Sequence, residues 1–321
     1  MTLEAQPDVV TIGETMVALV PELVGPLRYN PSFRPRIAGA ESNLAIGLAK
    51  LGHRASWISR VGDDEFGHYV NNAIRGEGVD TSGVVFDPDH RTGIMFKEMG
   101  VGETRVYYYR ENSAASHLTP GDVNEALVRS TRIVHLTGIT PVLSTDCEAA
   151  VLKAAELADR HGRLLSFDPN IRRKLWNGRD YRSLLKQLTL RAGIVLIGLE
   201  EAAELLDTDK PEEIFDILLM GEGAARAVAL KNGAEGAWVA DAETRRHIEP
   251  VAVKSIEPIG AGDAFNAGFL AGYLEGADIE TCGRMGAVCG AMATTVVGDI
   301  EGYLSRARLH ALMNHDKEVY R

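Results

Sequence analysis

The feature that most constrains the fold is the regular alternation of short, uninterrupted apolar runs with longer stretches of helical spacing. Residues 8–13 read Asp-Val-Val-Thr-Ile-Gly, and comparable runs recur at 55–59, 133–138, 164–168, 194–198 and 227–231. A run that is apolar at successive positions, rather than at every second one, suits a strand covered on both faces, the normal state of a parallel strand. Between the runs, residues 43–51 place Leu44, Leu48 and Leu51 on one face and stop at Gly52, and residues 145–161 stop at Gly162. Strands that alternate with helices predict an α/β chain whose doubly wound, mostly parallel sheet has helices on both sides.

Two regions break this rhythm. Residues 15–36 and 92–110 combine β-branched or aromatic residues with turns such as Gly25-Pro26 and Gly100-Val-Gly102, and lack room for a crossover helix. They read as hairpins forming a small β-sheet lid. The expected division is therefore a core of residues 1–14, 37–91 and 111–321, with a lid of 15–36 and 92–110. A chain of 321 residues is long for one hydrophobic core, and a large core with a small appendage accommodates it. No repeat of 20–50 residues and no low-complexity tract is present.

Composition removes several classes of function. The net charge of −11 carries no long basic run, which excludes a nucleic-acid partner held by phosphate neutralisation. Cys147, Cys282 and Cys289 are odd in number and contain no Cys-x-x-Cys pair, so they read as buried thiols. The first residues do not resemble a signal sequence, and no apolar run approaches the roughly 18 residues of a membrane span, so a cytoplasmic protein without a membrane partner is expected. The nine histidines show no metal-binding spacing, and His117 and His135 read as structural.

The chemistry concentrates in Pro258-Ile-Gly-Ala-Gly-Asp263-Ala-Phe-Asn-Ala-Gly268, a glycine turn that runs into a helix of small residues. Gly260, Ala261 and Gly262 present backbone N–H groups at a helix N-terminus, where the dipole also favours an anion. Asp263 at the mouth of this turn is placed to accept a hydrogen bond from a substrate hydroxyl and aim it at phosphorus. The loose transition state of phosphoryl transfer asks a base for position more than strength. A plain helix cap would use the same residue types, so other segments must decide.

They do so by resemblance. With the Gly-Ala-Gly-Asp turn, the segment Ala38-Gly-Ala-Glu-Ser-Asn43, the Gly62-Asp-Asp-Glu-Phe-Gly67 element and Lys231-Asn-Gly233-Ala-Glu-Gly236 resemble, in order, the motifs of the ribokinase-like, or PfkB, carbohydrate kinases. That resemblance implies ATP and magnesium as cofactors, Asp263 as catalytic base with the Gly260–Asp263 turn as anion hole, and a homo-oligomer of two or more chains. It also implies that Gly39, Ala40, Glu41 and Asn43 face the sugar, while Lys231, Gly233, Gly236, Gly260, Gly262 and Asn170 face the nucleotide.

Tyr107-Tyr-Tyr109-Arg110, the 168–172 segment Asp-Pro-Asn-Ile-Arg and Gly298-Asp299-Ile-Glu-Gly302 further resemble the members that act on 2-keto-3-deoxygluconate. The implied contacts to that sugar acid are Gly39, Tyr109, Arg110, Arg172 and Asp299. Guanidinium groups suit a carboxylate, which they bind through two parallel hydrogen bonds. Strand alternation separates Tyr107 and Tyr109 from Tyr108, and Tyr109 is assigned to the site and Tyr108 to packing.

The chain also departs from the family pattern. Glu257 replaces the signature's first aspartate, which counts against a potassium site. Gly198 replaces the first residue of an Asn-x-x-Glu element, leaving Glu201 to organise magnesium through water, and Met95 stands where a lid tyrosine is expected. Nicotinamide enzymes, P-loop kinases and protein kinases are excluded by missing motifs. Two alternatives stay open: a kinase of fructose or another neutral sugar, and a non-catalytic sugar- or nucleotide-binding protein on the same fold.

Overall fold

The computed structural model describes residues 6–100, 104–221 and 223–314. The strands among them are β1 (Val9–Ile12), β2 (Met16–Pro21), β3 (Phe33–Ala38), β4 (Ala55–Gly62), β5 (Asp80–Asp87), β6 (Ile94–Met99), β7 (Thr104–Tyr109), β8 (Ile133–Thr137), β9 (Leu164–Asp168), β10 (Ile194–Gly198), β11 (Ala227–Lys231), β12 (Ala237–Asp241) and β13 (Arg245–Ile248). The helices are α1 (Ala40–Lys50), α2 (Glu65–Gly76), α3 (Glu125–Ser130), α4 (Thr145–Arg160), α5 (Arg182–Arg191), α6 (Leu199–Leu206), α7 (Pro211–Phe215), α8 (Ala261–Glu275), α9 (Ile279–Ala293) and α10 (Arg306–Asn314).

The large sheet runs β13-β12-β11-β10-β9-β8-β1-β4-β5, and every neighbouring pair from β11 to β5 is parallel. Helices α1, α2, α8, α9 and α10 pack on one face and α3 to α7 on the other, each face with its own apolar cluster. This is the doubly wound α/β architecture expected from the strand and helix rhythm. The chain leaves β1 toward β4 on one side and reaches β8 on the other, so the sheet changes winding direction beside β1. In such sheets ligands bind outside the carboxyl ends of the strands at that switch point.

Strands β5, β12 and β13 lie outside the runs read from the sequence. They form the two edges of the sheet and carry polar residues such as Asp80, Ser82, Arg245 and Arg246, so they lack a continuous apolar signature. The three cysteines are free and buried.

The four remaining strands make a separate sheet in the order β3-β2-β6-β7, from residues that fall within or next to the two expected insertions. Its inner face holds Met16, Ala18, Ala38 and Met95 against Val106. Its outer face carries Phe33, Phe96 and Tyr109, stacked edge to face at 5.4 and 5.6 Å. Residues 101–103, where most of the expected Gly100-Val-Gly102 turn falls, lie outside the described residues.

Candidate active site

A cleft of about 990 Å³ opens between the two sheets, lined by residues that follow the carboxyl ends of β1, β8, β9, β10 and β11. Its volume reaches the upper end of the roughly 300–1,000 Å³ range of ligand pockets, room for more than one small ligand.

Helix α8 supplies the floor. Gly260 caps it at φ 80°, a left-handed conformation, and a methyl group there would run into the Asp299 carbonyl oxygen. The turn therefore needs glycine on two counts, and it is braced by Tyr303, whose hydroxyl donates to the Gly260 carbonyl at 3.1 Å. The N–H of Ala261 reaches back to the Pro258 carbonyl at 3.3 Å. Gly262 and Asp263 thus bring the first-turn amides that lack a helical acceptor.

Asp263 accepts from the Asn43 amide at 2.8 Å, and the same amide reaches Asp299 at 3.3 Å. Asn43 is buried on α1, which packs so closely on α8 that a methyl on Gly47 would lie 2.6 Å from the Ala267 side chain. Burial, then the nearby Asp168 and Asp299 charges, raises the Asp263 carboxyl to about 7, against the Asn43 bond and Lys231. A carboxylate poised at neutral pH beside unpaired helix amides can accept a proton as a phosphoryl group arrives.

Beneath this floor lies a residue that sequence reasoning missed. Lys97, on β6, is fully buried and donates to Asp299 at 2.8 Å and to Glu257 at 3.1 Å. The other Glu257 oxygen accepts the Gly298 N–H at 2.8 Å. A positive charge already stands where the sequence raised the question of potassium. The signal was present, since Lys97 follows Met95 on the same face of its strand, and a lysine on an apolar face asks for a buried partner.

On the nucleotide side, Lys231 donates to Asp168 at 2.7 Å and to Asn266 at 3.2 Å. A methyl on Gly262 would lie 4.0 Å from the Lys231 ammonium, so this cation borders the glycine turn. Asn170 lines the cleft with φ 39°. Gly233 and Gly236 belong to the turn between β11 and β12 and are not among the residues lining the cleft. The Glu201 carboxylate accepts N–H groups of Ile171 at 2.6 Å and Gly198 at 2.9 Å, which fixes it at the wall. Burial, then Asp168, raises its pKa.

Gly39, Ala40, Glu41, Arg110 and Arg172 also line the cleft. Glu41 accepts from the Thr137 and Thr140 hydroxyls, both at 2.7 Å, and burial raises its pKa despite these bonds. Arg110 pairs with Glu14, which also accepts from the Ser113 hydroxyl at 2.6 Å. Among the described residues, Arg110 Nε and Asn43 Oδ1 are buried without a hydrogen-bond partner, and buried polar atoms of that kind ask for a ligand.

The assignment of Tyr109 needs correction. Tyr109 is 64% exposed and packs on Phe96 on the outer face of the small sheet, while Tyr107 and Tyr108 line the cleft. Arg110 shares a face with Tyr108, two residues away, and its guanidinium lies 5.8 Å from that ring, while Tyr107, on the same face as Tyr109, still borders the cleft. Neither His117 nor His135 lines the cleft. His117 stacks on His90, and His135 lies inside the large sheet against Ser166, where burial lowers its pKa to about 4.

The pfkB family carbohydrate kinase model matches residues 6–306, so fold, site and sequence agree on the class, and the chain belongs to that family. It is 33% identical over 319 residues to 2-dehydro-3-deoxygluconokinase of Bacillus subtilis (strain 168), covering 98% of this chain and 97% of that protein. It is 36% identical over 315 residues to 2-dehydro-3-deoxygluconokinase of Thermoproteus tenax, covering 97% and 95%. An E. coli protein of known structure, solved in complex with ATP and Mg2+, superposes with a TM-score of 0.89 at 28% identity, covering 96% of this chain and 99% of that one.

Proposed function

We propose that the protein transfers the γ-phosphoryl group of ATP to the 6-hydroxyl of 2-keto-3-deoxygluconate, the same compound as 2-dehydro-3-deoxygluconate, giving 2-keto-3-deoxy-6-phosphogluconate. The observation that carries this reading is Asp263, held by Asn43 at the first turn of α8 and bordered by Gly262 and the Lys231 ammonium. Asp263 takes the hydroxyl proton. The amides of Gly262 and Asp263, with Lys231, receive the charge that builds on the phosphoryl oxygens. Arg110 and Arg172 receive the sugar carboxylate, and the relatives named above act on this acid.

Magnesium fits the donor set only as an ion carried by nucleotide. Among the described residues no group of three or more His, Cys, Asp or Glu stands at metal-binding geometry. When bound, the ion would neutralise phosphate charge, and Glu201 is the carboxylate that would hold it through water.

An acceptor panel with coupled ADP detection tests the reading. ADP release that depends on ketodeoxygluconate, and is much slower with fructose, supports it. Preference for fructose replaces the acid with a neutral sugar, and binding of either sugar without ADP release makes the protein a non-catalytic binder.

A further inference from the structure

The buried Lys97 is unusual in its cost. Taking an ammonium and two carboxylates out of water carries a penalty of several kcal/mol per ion, and an apolar cluster in the same place would be easier to stabilise. Such a group persists where its charge has a task. Lys97 extends from β6 of the lid sheet, across the joint between the two sheets, to Asp299 and Glu257, which flank the glycine turn of α8 on the core side. From Asp299 the chain of contacts continues through the Asn43 amide to Asp263. Arg36 of β3 pairs with Glu301 and donates to the Val297 carbonyl, while Lys97 donates to Asp299, whose charge also acts on Asp263.

We propose that Lys97 is a positioning residue for phosphoryl transfer: by donating to both the Glu257 and Asp299 carboxylates it holds Asp299 and Asn43 in the arrangement that aims Asp263. The proposal rests on the reading of Asp263 as base. It ties the catalytic floor to the lid, because the neutralising charge arrives on a lid strand. Electrostatics points the same way. Burial raises the Asp299 pKa, and Lys97 is the strongest influence opposing it. Burial would lower the Lys97 pKa, yet Asp299 and Glu257 outweigh it and the net shift is upward. Without the ammonium, two buried carboxylates with no counter-charge take up a proton. Asp299 then becomes a weaker acceptor for Asn43 at neutral pH and recovers only as the pH rises.

The test is the pH dependence of kcat/KM for Lys97→Met, a near-isosteric change, beside Asp263→Asn. Activity of Lys97→Met at pH 7 is expected to fall about 10- to 100-fold, the usual cost of removing a group that supports another. Its acidic limb is expected to move upward by about one unit or more, with activity partly recovered at high pH. A purely structural loss would lower activity at every pH and leave the limb in place. In Lys97→Ala, methylammonium is expected to restore activity in a saturable way at pH 7. Should Lys97→Met fail to fold, Lys97→Met combined with Glu257→Gln removes one buried charge of each sign and leaves Asp299 unpaired, so the raised limb must persist. A limb at the wild-type position in the folded variant overturns the proposal. An active Asp263→Asn enzyme sinks the base instead, which keeps the two failures apart.

Discussion

The burial that would make Asp263 a base at neutral pH also couples its titration to stability. Its carboxyl rises from 3.8 to about 7 on folding, chiefly through burial, so the folded chain binds this proton more tightly than the unfolded chain. The stabilising effect of that shift is complete below the unfolded value and is lost as pH rises through about 7. We expect kcat/KM to climb with pH through a limb near 7, measured with saturating nucleotide. Asp263→Asn is expected to lower turnover by roughly two to four orders of magnitude, the usual range for a positioned base, with little change in nucleotide affinity. The same variant should melt a few degrees higher than wild type at pH 8, because an ionised, partly buried carboxylate has gone. Retained turnover would remove the role given to this residue. Arg110→Ala separates acid from neutral acceptors: KM for ketodeoxygluconate should rise at least tenfold, in line with the energy of a charge-assisted pair, while any slow turnover of fructose stays unchanged.

At the level of elements, two close contacts join parts of the fold, and both depend on small residues. Helix α1 reaches α8 because Gly47 faces Ala267, and this approach delivers Asn43 to Asp263. The Gly62–Gly67 element recognised in the sequence turns out to be a clamp. Asp64 caps α2 through the Gly67 N–H at 2.8 Å and also accepts the Thr92 N–H and hydroxyl, each at 2.9 Å. It therefore joins a core helix to Thr92, two residues before strand β6 of the small sheet. Asp64→Ala should cost about 1–2 kcal/mol for the lost cap, and more where the Thr92 bonds are lost with it. Chemical denaturation would show this as a lower midpoint at unchanged slope. An unchanged midpoint would mean that the clamp contributes nothing. The small sheet was legible here only in part: a hairpin over 92–110 was readable, but Tyr107, Tyr108 and Arg110 meet the cleft, whereas adjacency in sequence had suggested Tyr109.

For the whole molecule, the consequence is a cleft with one wall built on the nine-stranded sheet and one carried on the four-stranded sheet. Lys97 with its two carboxylates and Arg36 with Glu301 link the small sheet to the core. A hydroxyl acceptor must be shielded from water, which would otherwise compete for the phosphoryl group. We expect hydrogen exchange in residues 16–38 and 94–99 to slow when sugar acid and a non-hydrolysable ATP analogue are both present, and to change little with either alone. Rapid ATP hydrolysis without sugar would contradict closure.

The α/β class, the parallel core strands and the glycine turn before Asp263 were determined by the sequence alone, because these features are local. Apolar runs, helix stops and a left-handed glycine each depend on residues within a few positions. Tertiary structure decided the partners. Asn43 and Asp263 are 220 positions apart, and Lys97 and Asp299 are 202. No period or spacing relates residues so distant in the chain. A buried ammonium acquires its meaning only when folding delivers the carboxylates that neutralise it.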